Sequence, residues 1–595
     1  MASKFIIYQL LLRVFGNTNE NCVPGGSLQL NGTGKFSSVT GSVLHSLKRL
    51  AVTHVWYTGV IEHVTKTSFE QFAIAADNPE VIKGEAGSPY AIKDYYDVNP
   101  YLADSAEDRM DEFCALVKRT HSSGLKVIID FIPNHLARGY NSDSTPSGVE
   151  HFGCGDDVSV SFSPQNNFYY LPGQALDLSG IIQGQKYLEQ PARATGNDCF
   201  SATPGRNDWY ETVKLNYGVD YANGGAKYFE PRPKTWGMML DVLLFWASKG
   251  VDGFRCDMAE MVPVEFWNWA IGEVKRRYPH IIFIAEVYNP QQYGSYLNVG
   301  GFDYLYDKVG LYDNLKVITQ RFAGKAPWFS PASSITGNWQ SLGDMQHSML
   351  NFLENHDEQR VASDFNIGDP FKAIPELTVS LMLNTAPFML YFGQEFGERG
   401  MLAEGFSGVD GRTSIFDYCS APSVARWLKA LECRDCQGQN SGVTGLSASE
   451  KGLYELYCKL MQIAMEEKAI REGATYDLEY ANFDTAGFNA NDNFVFARKA
   501  KDREEFLLVA ADFSQTAKSL SVKLPEHLFD FWRLAEGEYS AVSLFEDEEA
   551  CAASAAEKGG GKEVVTVSHG IHLERNGEVE LPVGRYGVSI VKFVG

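Results

Sequence analysis

The sequence has no uninterrupted apolar run of the roughly 18 residues that a membrane-spanning helix needs. The closest stretch, LMLNTAPFMLYFG, is broken by Asn384, Thr385 and Pro387. An export signal is not evident either, because Gln9 and Arg13 interrupt the apolar segment KFIIYQLLLRVFG and no small-residue cleavage site follows it. We therefore expect a cytoplasmic protein with no membrane partner, although a chain trimmed of its signal would give the same pattern.

Cysteines with the spacing of a zinc site are also missing. The 10 cysteines are scattered, and the pair in CRDC, residues 433 to 436, has no second pair and no nearby histidine. Scattered cysteines in a chain of 595 residues favour free thiols in a reducing compartment over a disulfide scaffold.

Positive charge is scarce relative to negative charge. The chain has 52 Lys and Arg against 75 Asp and Glu, which gives a formal net charge of -23. Such a charge repels phosphate backbones and anionic lipid, so nucleic acid and membrane surfaces are poor candidates for partners. A neutral ligand is the better expectation, and the aromatic content of 13% offers ring faces that can stack on sugars, although most such rings fill the core.

Short apolar segments alternate with amphipathic helical segments from residue 5 to about residue 470. This alternation is typical of parallel strands joined by crossover helices. Eight segments have the character of strands: FIIYQLLLRVF, THVWYTG, KVIIDFI, VDGFRCD, IIFIAEV, FDYLYD, MLNFLEN and FMLYFG. Because eight parallel strands close a barrel, we predict an α/β fold of the (β/α)8, or TIM barrel, type.

Two parts of the chain depart from this alternation. Residues 134–234 are rich in Gly, Asn, Asp and Ser and too long for an ordinary loop, which predicts a subdomain inserted after the third strand. After residue 473, short alternating runs predict a C-terminal β-sandwich. The predicted domains are the barrel in two parts, 1–133 and 235–473, the insertion at 134–234 and the sandwich at 474–595.

Polar residues end four of the predicted strands. They are Asp130, Asn134 and His135 in VIIDFIPNH, Arg255 and Asp257 in VDGFRCD, Glu286 in IIFIAE, and His356 and Asp357 in NFLENHDE. The carboxyl ends of barrel strands meet at one mouth, where the chemistry of such enzymes lies. A single carboxylate there is often a helix cap or a partner of arginine. Three carboxylates that close three strands, Asp257, Glu286 and Asp357, together indicate function, because clustering like charges costs free energy.

The motifs DFIPNH, GFRCDMAE, IAEV and FLENHD, in this order, resemble those of the α-amylase family, glycoside hydrolase family 13. The resemblance covers essentially the whole chain, since the predicted insertion and C-terminal sandwich also match. It implies that Asp257 is the nucleophile, Glu286 the general acid/base and Asp357 the carboxylate that grips the sugar. It also implies substrate contacts from Tyr90 in SPYAIKDYYDVNP and from His135, Arg255 and His356. In the last loop, DGRTSIFDY offers Arg412, beside Asp410, as a further clamp on the substrate.

Cleavage of a glycosidic bond gives separate tasks to the carboxyl groups. One must protonate the leaving oxygen, while another must stay ionised facing the developing oxocarbenium ion. Arg255, on the same strand face as Asp257, can hold that carboxylate ionised, and Asp130 is expected to support the site through Arg255. Apolar surroundings and neighbouring acids should raise the pKa of Glu286. Retention of configuration follows if the two carboxyl groups lie roughly 5 to 5.5 Å apart.

The second motif departs from the family pattern. Many α-amylases continue it with a Lys-His pair that contacts the sugar and helps to bind calcium, whereas this chain has DMAEM, with Glu260 in place of the basic contact. Asn134 matches a common calcium ligand, and the insertion offers Asp156, Asp157 and Asp177 as oxygen donors. We expect no cofactor for the chemistry and no tightly bound calcium at Asn134, with a structural calcium ion as the alternative.

The leading hypothesis is a retaining hydrolase of α-1,4-linked glucans such as starch or maltodextrin. A transglycosylase or α-glucosidase of the same family is the alternative, because transfer differs from hydrolysis only in the acceptor. A non-catalytic sugar-binding barrel is disfavoured since all three acids are present, and a metal-dependent hydrolase is disfavoured since the histidines lack a closed ligand set. The sequence specifies neither endo or exo action nor the oligomeric state.

Overall fold

Eight parallel strands form a closed barrel in the computed structural model, which describes residues 4–72, 74–400, 409–435, 445–545 and 568–595. The strands are β1 (Ile6–Leu11), β2 (His54–Thr58), β3 (Lys126–Phe131), β4 (Gly253–Cys256), β5 (Ile282–Ala285), β6 (Tyr304–Tyr306), β7 (Met349–Phe352) and β8 (Phe388–Tyr391). Each strand pairs with the next in the chain, and β8 closes on β1. Every strand lies within one of the eight predicted segments, so the barrel is confirmed.

Helices connect and cover the strands. They are α1 (Gly41–Arg49), α2 (Arg109–Ser122), α3 (Lys234–Ser248), α4 (Val264–Arg277), α5 (Asp313–Phe322), α6 (Ser334–Leu342), α7 (Ile374–Met382), α8 (Pro422–Asp435) and α9 (Ala448–Glu466). No helix among the described residues has the length and apolar character required to cross a membrane.

Helix α4 shows how the sequence encodes these elements. It begins after Pro263, carries Glu265 in its first turn and ends with Lys275, Arg276 and Arg277, an order of charges that complements the helix dipole. Its buried residues recur at helical spacing and are Phe266, Trp267, Ala270, Ile271 and Val274. The strands, by contrast, are buried on both faces, which explains their nearly continuous apolar runs.

The chain between β3 and α3 forms short antiparallel ladders. His135–Ala137 pairs with Thr212–Lys214, Tyr170–Leu171 with Ala192–Arg193, and Val219–Asp220 with Ala226–Lys227. The first ladder begins just after β3 ends, so the insertion is built directly on the mouth of the barrel. The insertion after the third strand is therefore confirmed as part of the fold, while the predicted domain limits stay a prediction.

The C-terminal strands form two sheets. They are β9 (Ala474–Asp477), β10 (Asn493–Lys499), β11 (Phe506–Asp512), β12 (Lys518–Lys523), β13 (Gly537–Phe545), β14 (Ser568–Leu573), β15 (Glu578–Val583) and β16 (Val588–Val594). One sheet has the order β9-β10-β11-β16-β13-β14, and the other pairs β12 with β15. Leu508, Val522, Leu581 and Phe593 from the two sheets share one apolar core, which confirms the C-terminal sandwich.

Several cysteines are free thiols, as the sequence suggests. They are Cys114, Cys154, Cys199, Cys256 and Cys458. The pair in CRDC lies outside the residues whose side chains the structure describes.

Candidate active site

The three predicted catalytic acids line one cavity of about 560 Å³ at the carboxyl ends of the barrel strands. Asp257 directly follows β4, and Glu286 directly follows β5. Cys256 pairs with Ala285 in the parallel ladder, so the two acids leave their strands side by side. Because neighbouring strands lie about 4.8 Å apart, this register sets their backbones at that spacing. Asp357, beyond the end of β7, completes the group.

Arg255 joins two of these acids. Its Nη1 donates a 2.7 Å hydrogen bond to Asp257, and its Nη2 lies 2.8 Å from Oε2 of Glu286. Asp130 lies 3.6 Å from the same guanidinium, which agrees with a supporting position behind the site. Arg255 is fully buried beneath the acids, so its contacts are with carboxylates rather than with the open cavity where the sequence interpretation placed a substrate contact.

Aromatic rings enclose the guanidinium of Arg255. The rings of Trp56 and Tyr90 lie 5.4 Å from it and that of Tyr306 lies 5.6 Å away, while Nε of Arg255 donates to the Tyr306 hydroxyl. Ring faces attract a cation and exclude water from it. The enclosure fixes the guanidinium in the one orientation that reaches both acids.

Asp257 and Asp357 have pKa values shifted in opposite directions. Desolvation raises the pKa of Asp257 well above its ordinary value, and the charge of Glu286 adds to the rise although Arg255 opposes it. Arg255 therefore orients Asp257, but its charge does not offset the effect of burial on the pKa of that carboxyl group, contrary to the expectation from the sequence. For Asp357, desolvation is outweighed by His356, Arg255 and Arg412, which lower its pKa to about 2. Asp357 thus stays ionised more readily than Asp257.

Two groups that the sequence did not single out hold Glu286. The backbone N–H of Met258 donates to Oε2 at 2.9 Å, and the Tyr288 hydroxyl donates to Oε1. Met258 has a φ of 42°, in the left-handed region that side chains other than glycine rarely adopt. Tyr288 could have been found from its spacing of two residues after Glu286, but no sequence signal marks the backbone of Met258.

Glu260 holds the segment that follows Glu286 in place. It accepts hydrogen bonds from the backbone N–H groups of Tyr288 and Asn289. The acidic residue that replaces the basic contact of many α-amylases thus fastens the segment that follows Glu286.

Tyr90 and His356 contact each other beside Asp357. The Tyr90 hydroxyl and Nε2 of His356 are 2.6 Å apart, and the two rings stack with centroids 5.2 Å apart. His356 Nε2 also lies 3.0 Å from Asp357, while its Nδ1 contacts Gln9 at 2.9 Å. With both ring nitrogens engaged, His356 is fixed beside Asp357, and Tyr90 lines the main cavity.

Arg412 lies beside Asp357 rather than over the main cavity. Its Nε donates a 2.6 Å hydrogen bond to the Asp357 backbone carbonyl, and it forms an ion pair with Asp410. Arg412 lines a smaller adjoining cavity of about 290 Å³ with His356 and Asp357. The structure therefore places it where it can hold the backbone of Asp357, and the predicted clamp on substrate stays a prediction.

His135 is part of the main cavity wall. Its ring centroid lies 5.2 Å from that of Trp209, a residue of the insertion that the sequence analysis did not identify. Burial lowers the pKa of His135 to about 3, so the ring is neutral at ordinary pH and can both donate and accept a hydrogen bond.

The surroundings of Asn134 test the calcium site. Its Oδ1 accepts a 2.7 Å hydrogen bond from Nζ of Lys214, and the same ammonium lies 2.6 Å from Oδ1 of Asp198. The Lys214 side chain is only 1% exposed. A buried ammonium that is already bound by an amide and a carboxylate oxygen occupies the position that a cation would take, so these residues do not fit a calcium ion.

The other predicted calcium donors are engaged elsewhere. Asp156 accepts from the backbone of Asn167 and Phe168 and pairs with Lys234, while Asp157 and Asp177 each accept from a serine two residues further on. These carboxylates therefore stabilise their own turns, and they give no support to the alternative of a structural calcium ion at Asn134.

Comparison with known proteins identifies similar chains. A family model described as "Alpha amylase, catalytic domain" matches residues 9–473. "Alpha-amylase 3" of Dictyoglomus thermophilum is 23% identical over 399 residues, which is 64% of this chain and 68% of that protein. An "Alpha-1,4-glucan:maltose-1-phosphate maltosyltransferase" of Cereibacter sphaeroides is 39% identical over 208 residues, but this match spans only 34% of the chain and 25% of that relative.

Solved structures agree in fold. The α-amylase of Geobacillus thermoleovorans, solved with acarbose, superposes with a TM-score of 0.62 at 17% identity, covering 99% of this chain and 98% of the other. The maltogenic α-amylase AmyB of Thermotoga neapolitana gives 0.58 at 18% identity, with 99% of both chains covered. At these identities the likeness concerns the fold alone.

Proposed function

The chain belongs to the alpha-amylase family, and on this basis we propose that it is a retaining glycoside hydrolase of α-1,4-linked glucans such as starch or maltodextrin. The observation that carries the proposal is the single guanidinium of Arg255 shared by Asp257 and Glu286. Two carboxyl groups bound to adjacent nitrogens of one side chain are compatible with the roughly 5 to 5.5 Å separation of retaining enzymes.

In the proposed first step, Asp257 attacks the anomeric carbon while Glu286 gives its proton to the glycosidic oxygen. The bond to the leaving sugar breaks, and an ester forms between Asp257 and the retained sugar. Asp357, whose pKa is about 2, is ionised throughout the working range and accepts hydrogen bonds from sugar hydroxyls.

In the second step, Glu286 is a carboxylate and takes a proton from water. The water oxygen attacks the anomeric carbon, the ester bond to Asp257 breaks, and both acids return to their initial states. A sugar hydroxyl in place of water would give transfer, which is the alternative reaction for this site.

A phosphorylated donor fits the cavity less well. Lys83 lies 3.0 Å from Glu211, and Lys308 lies 3.3 Å from Glu358, so both lysines are paired within the part of the cavity wall that the structure describes. An anionic substrate would have to displace these partners beside the catalytic acids. This favours a neutral glucan over the maltose 1-phosphate in the names of some relatives.

We also propose that activity requires no metal ion. Lys214 supplies the positive charge between Asn134 and Asp198, and each step above needs only carboxyl groups, the sugar and water.

The proposal is tested by incubating the enzyme and its Asp257→Asn variant with amylose, pullulan and a maltooligosaccharide ladder. Shorter products with the α configuration, seen by chromatography and proton NMR, and loss of turnover in the variant are expected. Longer products at high oligosaccharide concentration would establish transfer instead. Full turnover in the variant, or none in the native enzyme, would contradict the proposal.

A further inference from the structure

The cavity has two walls that face each other across the barrel mouth. Residues that follow β2 and β3 form one of them, which we call the β2–β3 wall: Lys83, Tyr90, His135, Trp209 and Glu211. Residues that follow β5 and β6 form the β5–β6 wall: Glu286, Tyr288, Lys308 and Val309. In the closed order of eight strands, β2 and β6 are four positions apart, which places their connections on opposite sides.

The position of the proton donor gives this cavity a direction. Glu286 must reach the leaving oxygen, so the leaving sugars extend toward the β5–β6 wall. The sugar held by Asp257 and any unit on its other side then extend toward the β2–β3 wall. This orientation rests on the function proposed above.

The β2–β3 wall contains a buried ion pair that the proposed reaction does not use. Nζ of Lys83 lies 3.0 Å from Oε2 of Glu211, and the two side chains are 10% and 5% exposed. Within the described residues, Oε2 of Glu211 has no hydrogen bond of good geometry. It forms an ion pair with Lys83 and can still accept a hydrogen bond from a ligand. Both residues line the cavity.

The pair is next to the predicted contacts of the sugar at the cleavage point. The carbonyl of Glu211 accepts a 2.9 Å hydrogen bond from the N–H of Arg138, and Thr212 pairs with Ala137 in the ladder that begins at His135. Trp209, which also lines the cavity, contacts the His135 ring. A charged pair and an aromatic face therefore continue the wall beyond His135 into the insertion.

We propose that Lys83 and Glu211 bind the sugar residue that precedes the one at the cleavage point. Lys83 donates to one hydroxyl and Glu211 accepts from its neighbour, since vicinal hydroxyls present an acceptor and a donor side by side. A paired cation and anion suit a neutral sugar, whereas an anionic ligand would meet the Glu211 carboxylate. The pair would thus determine preference for glucans with at least two units on the retained side.

A purely structural role makes a different prediction. An ion pair that only fastens the insertion to the connection after β2 would affect stability and the turnover of every substrate alike. A substrate-binding role affects only substrates long enough to reach the pair.

The test compares 4-nitrophenyl α-D-glucoside, which fills only the cleavage position on the retained side, with 4-nitrophenyl α-maltoside, which adds the preceding unit. We expect Lys83→Met and Glu211→Gln to lower kcat/KM for release of nitrophenol from the maltoside by about 10- to 100-fold, the effect of losing a charged hydrogen bond. For the glucoside, kcat/KM of each variant should stay within about twofold of that of the native enzyme, because that substrate does not reach the pair.

Two further variants distinguish a loss of substrate binding from a folding defect. The double variant Lys83→Met/Glu211→Gln removes both charges and leaves neither buried alone. Lys66→Met breaks the Lys66–Glu85 ion pair in the same connection, whose side chains are 29% and 32% exposed. This variant should change kcat/KM for neither substrate. Equal losses on both substrates, or no loss on either, would overturn the proposal.

Failure of the proposed function would be recognised separately. If the native enzyme released nitrophenol from neither substrate, calorimetric titration of the Asp257→Asn variant with maltotriose would still test the pair. Weaker binding after Lys83→Met would support it, and unchanged binding would overturn it.

Discussion

Asp257 and Glu286 share one guanidinium: Nη1 of Arg255 contacts the first at 2.7 Å and Nη2 contacts the second at 2.8 Å. The arginine is buried, so neither carboxyl group can change its charge without affecting the other through a poorly screened medium. The charge of Glu286 therefore acts on the proposed nucleophile over a short and buried distance.

The acid limb of the pH profile should reflect this coupling. As the proposed nucleophile, Asp257 must be ionised, and burial together with the charge of Glu286 raises its pKa above the ordinary 3.8. Activity is then present above the raised pKa of Asp257 and is lost as pH falls through it. Glu286→Gln removes the neighbouring charge, so we expect the limb to move to lower pH.

The measurement needs a substrate that requires no proton donor. An aryl α-glucoside with a good leaving group, such as 2,4-dinitrophenyl, allows the first step of the Glu286→Gln variant to be followed by stopped flow between pH 3 and 7. A limb that stays in place or moves to higher pH would show that Glu286 does not raise the pKa of Asp257.

Replacement of Arg255 by lysine should be severe even though the charge is kept. A lysine ammonium is a point charge that cannot contact both acids in the forked geometry of Arg255. We expect kcat/KM on maltooligosaccharides to fall at least about 100-fold and the free energy of unfolding to fall by about 3 kcal/mol, as for a broken buried pair. Steady-state kinetics and urea unfolding measure the two effects, and a variant within twofold of the native enzyme would rule out the shared bridge.

The strands and the acids could be read from the sequence for the same physical reason. Strands buried on both faces need apolar runs, so Asp257 and Glu286 stand out where those runs end. The link between Arg255 and Glu286 could not be read, because it depends on the register of β4 against β5. Lys83 and Glu211 are far apart in sequence and lie in irregular connections, where no periodicity predicts which side chains meet.

Tyr288 should matter most when the leaving group is poor. Its hydroxyl orients Oε1 of Glu286, so Tyr288→Phe leaves the proton donor with only its Oε2 contacts to Arg255 and Met258. We expect kcat on maltooligosaccharides to fall about 10-fold, in the range of one lost hydrogen bond to a charged group, with a smaller loss on 2,4-dinitrophenyl α-glucoside.

Tyr293→Phe provides a matched control for this prediction. Tyr293 is buried near the same loop, and its hydroxyl has no hydrogen-bond partner within the described residues. Removing that hydroxyl should leave kcat unchanged on both substrates. Equal losses on the two substrates in Tyr288→Phe would mean that Tyr288 acts on the fold and not on proton donation.

The buried ammonium of Lys214 predicts how the protein responds to calcium. Because Lys214 already binds the oxygens of Asn134 and Asp198, neither a strong chelator nor added CaCl2 should change the melting temperature or the activity of the native enzyme. Lys214→Ala leaves those oxygens without their cation, and we expect the free energy of unfolding to fall by about 2 to 4 kcal/mol. In this variant, added calcium should restore part of the lost stability, because a carboxylate and an amide oxygen then face an open space.

Lys227→Ala is the control for this prediction. The side chains of its pair with Glu265 are 50% and 40% exposed, so the pair should contribute less than about 1 kcal/mol. A native enzyme that loses stability in chelator would show instead that a metal ion, and not Lys214, supplies the positive charge beside Asn134.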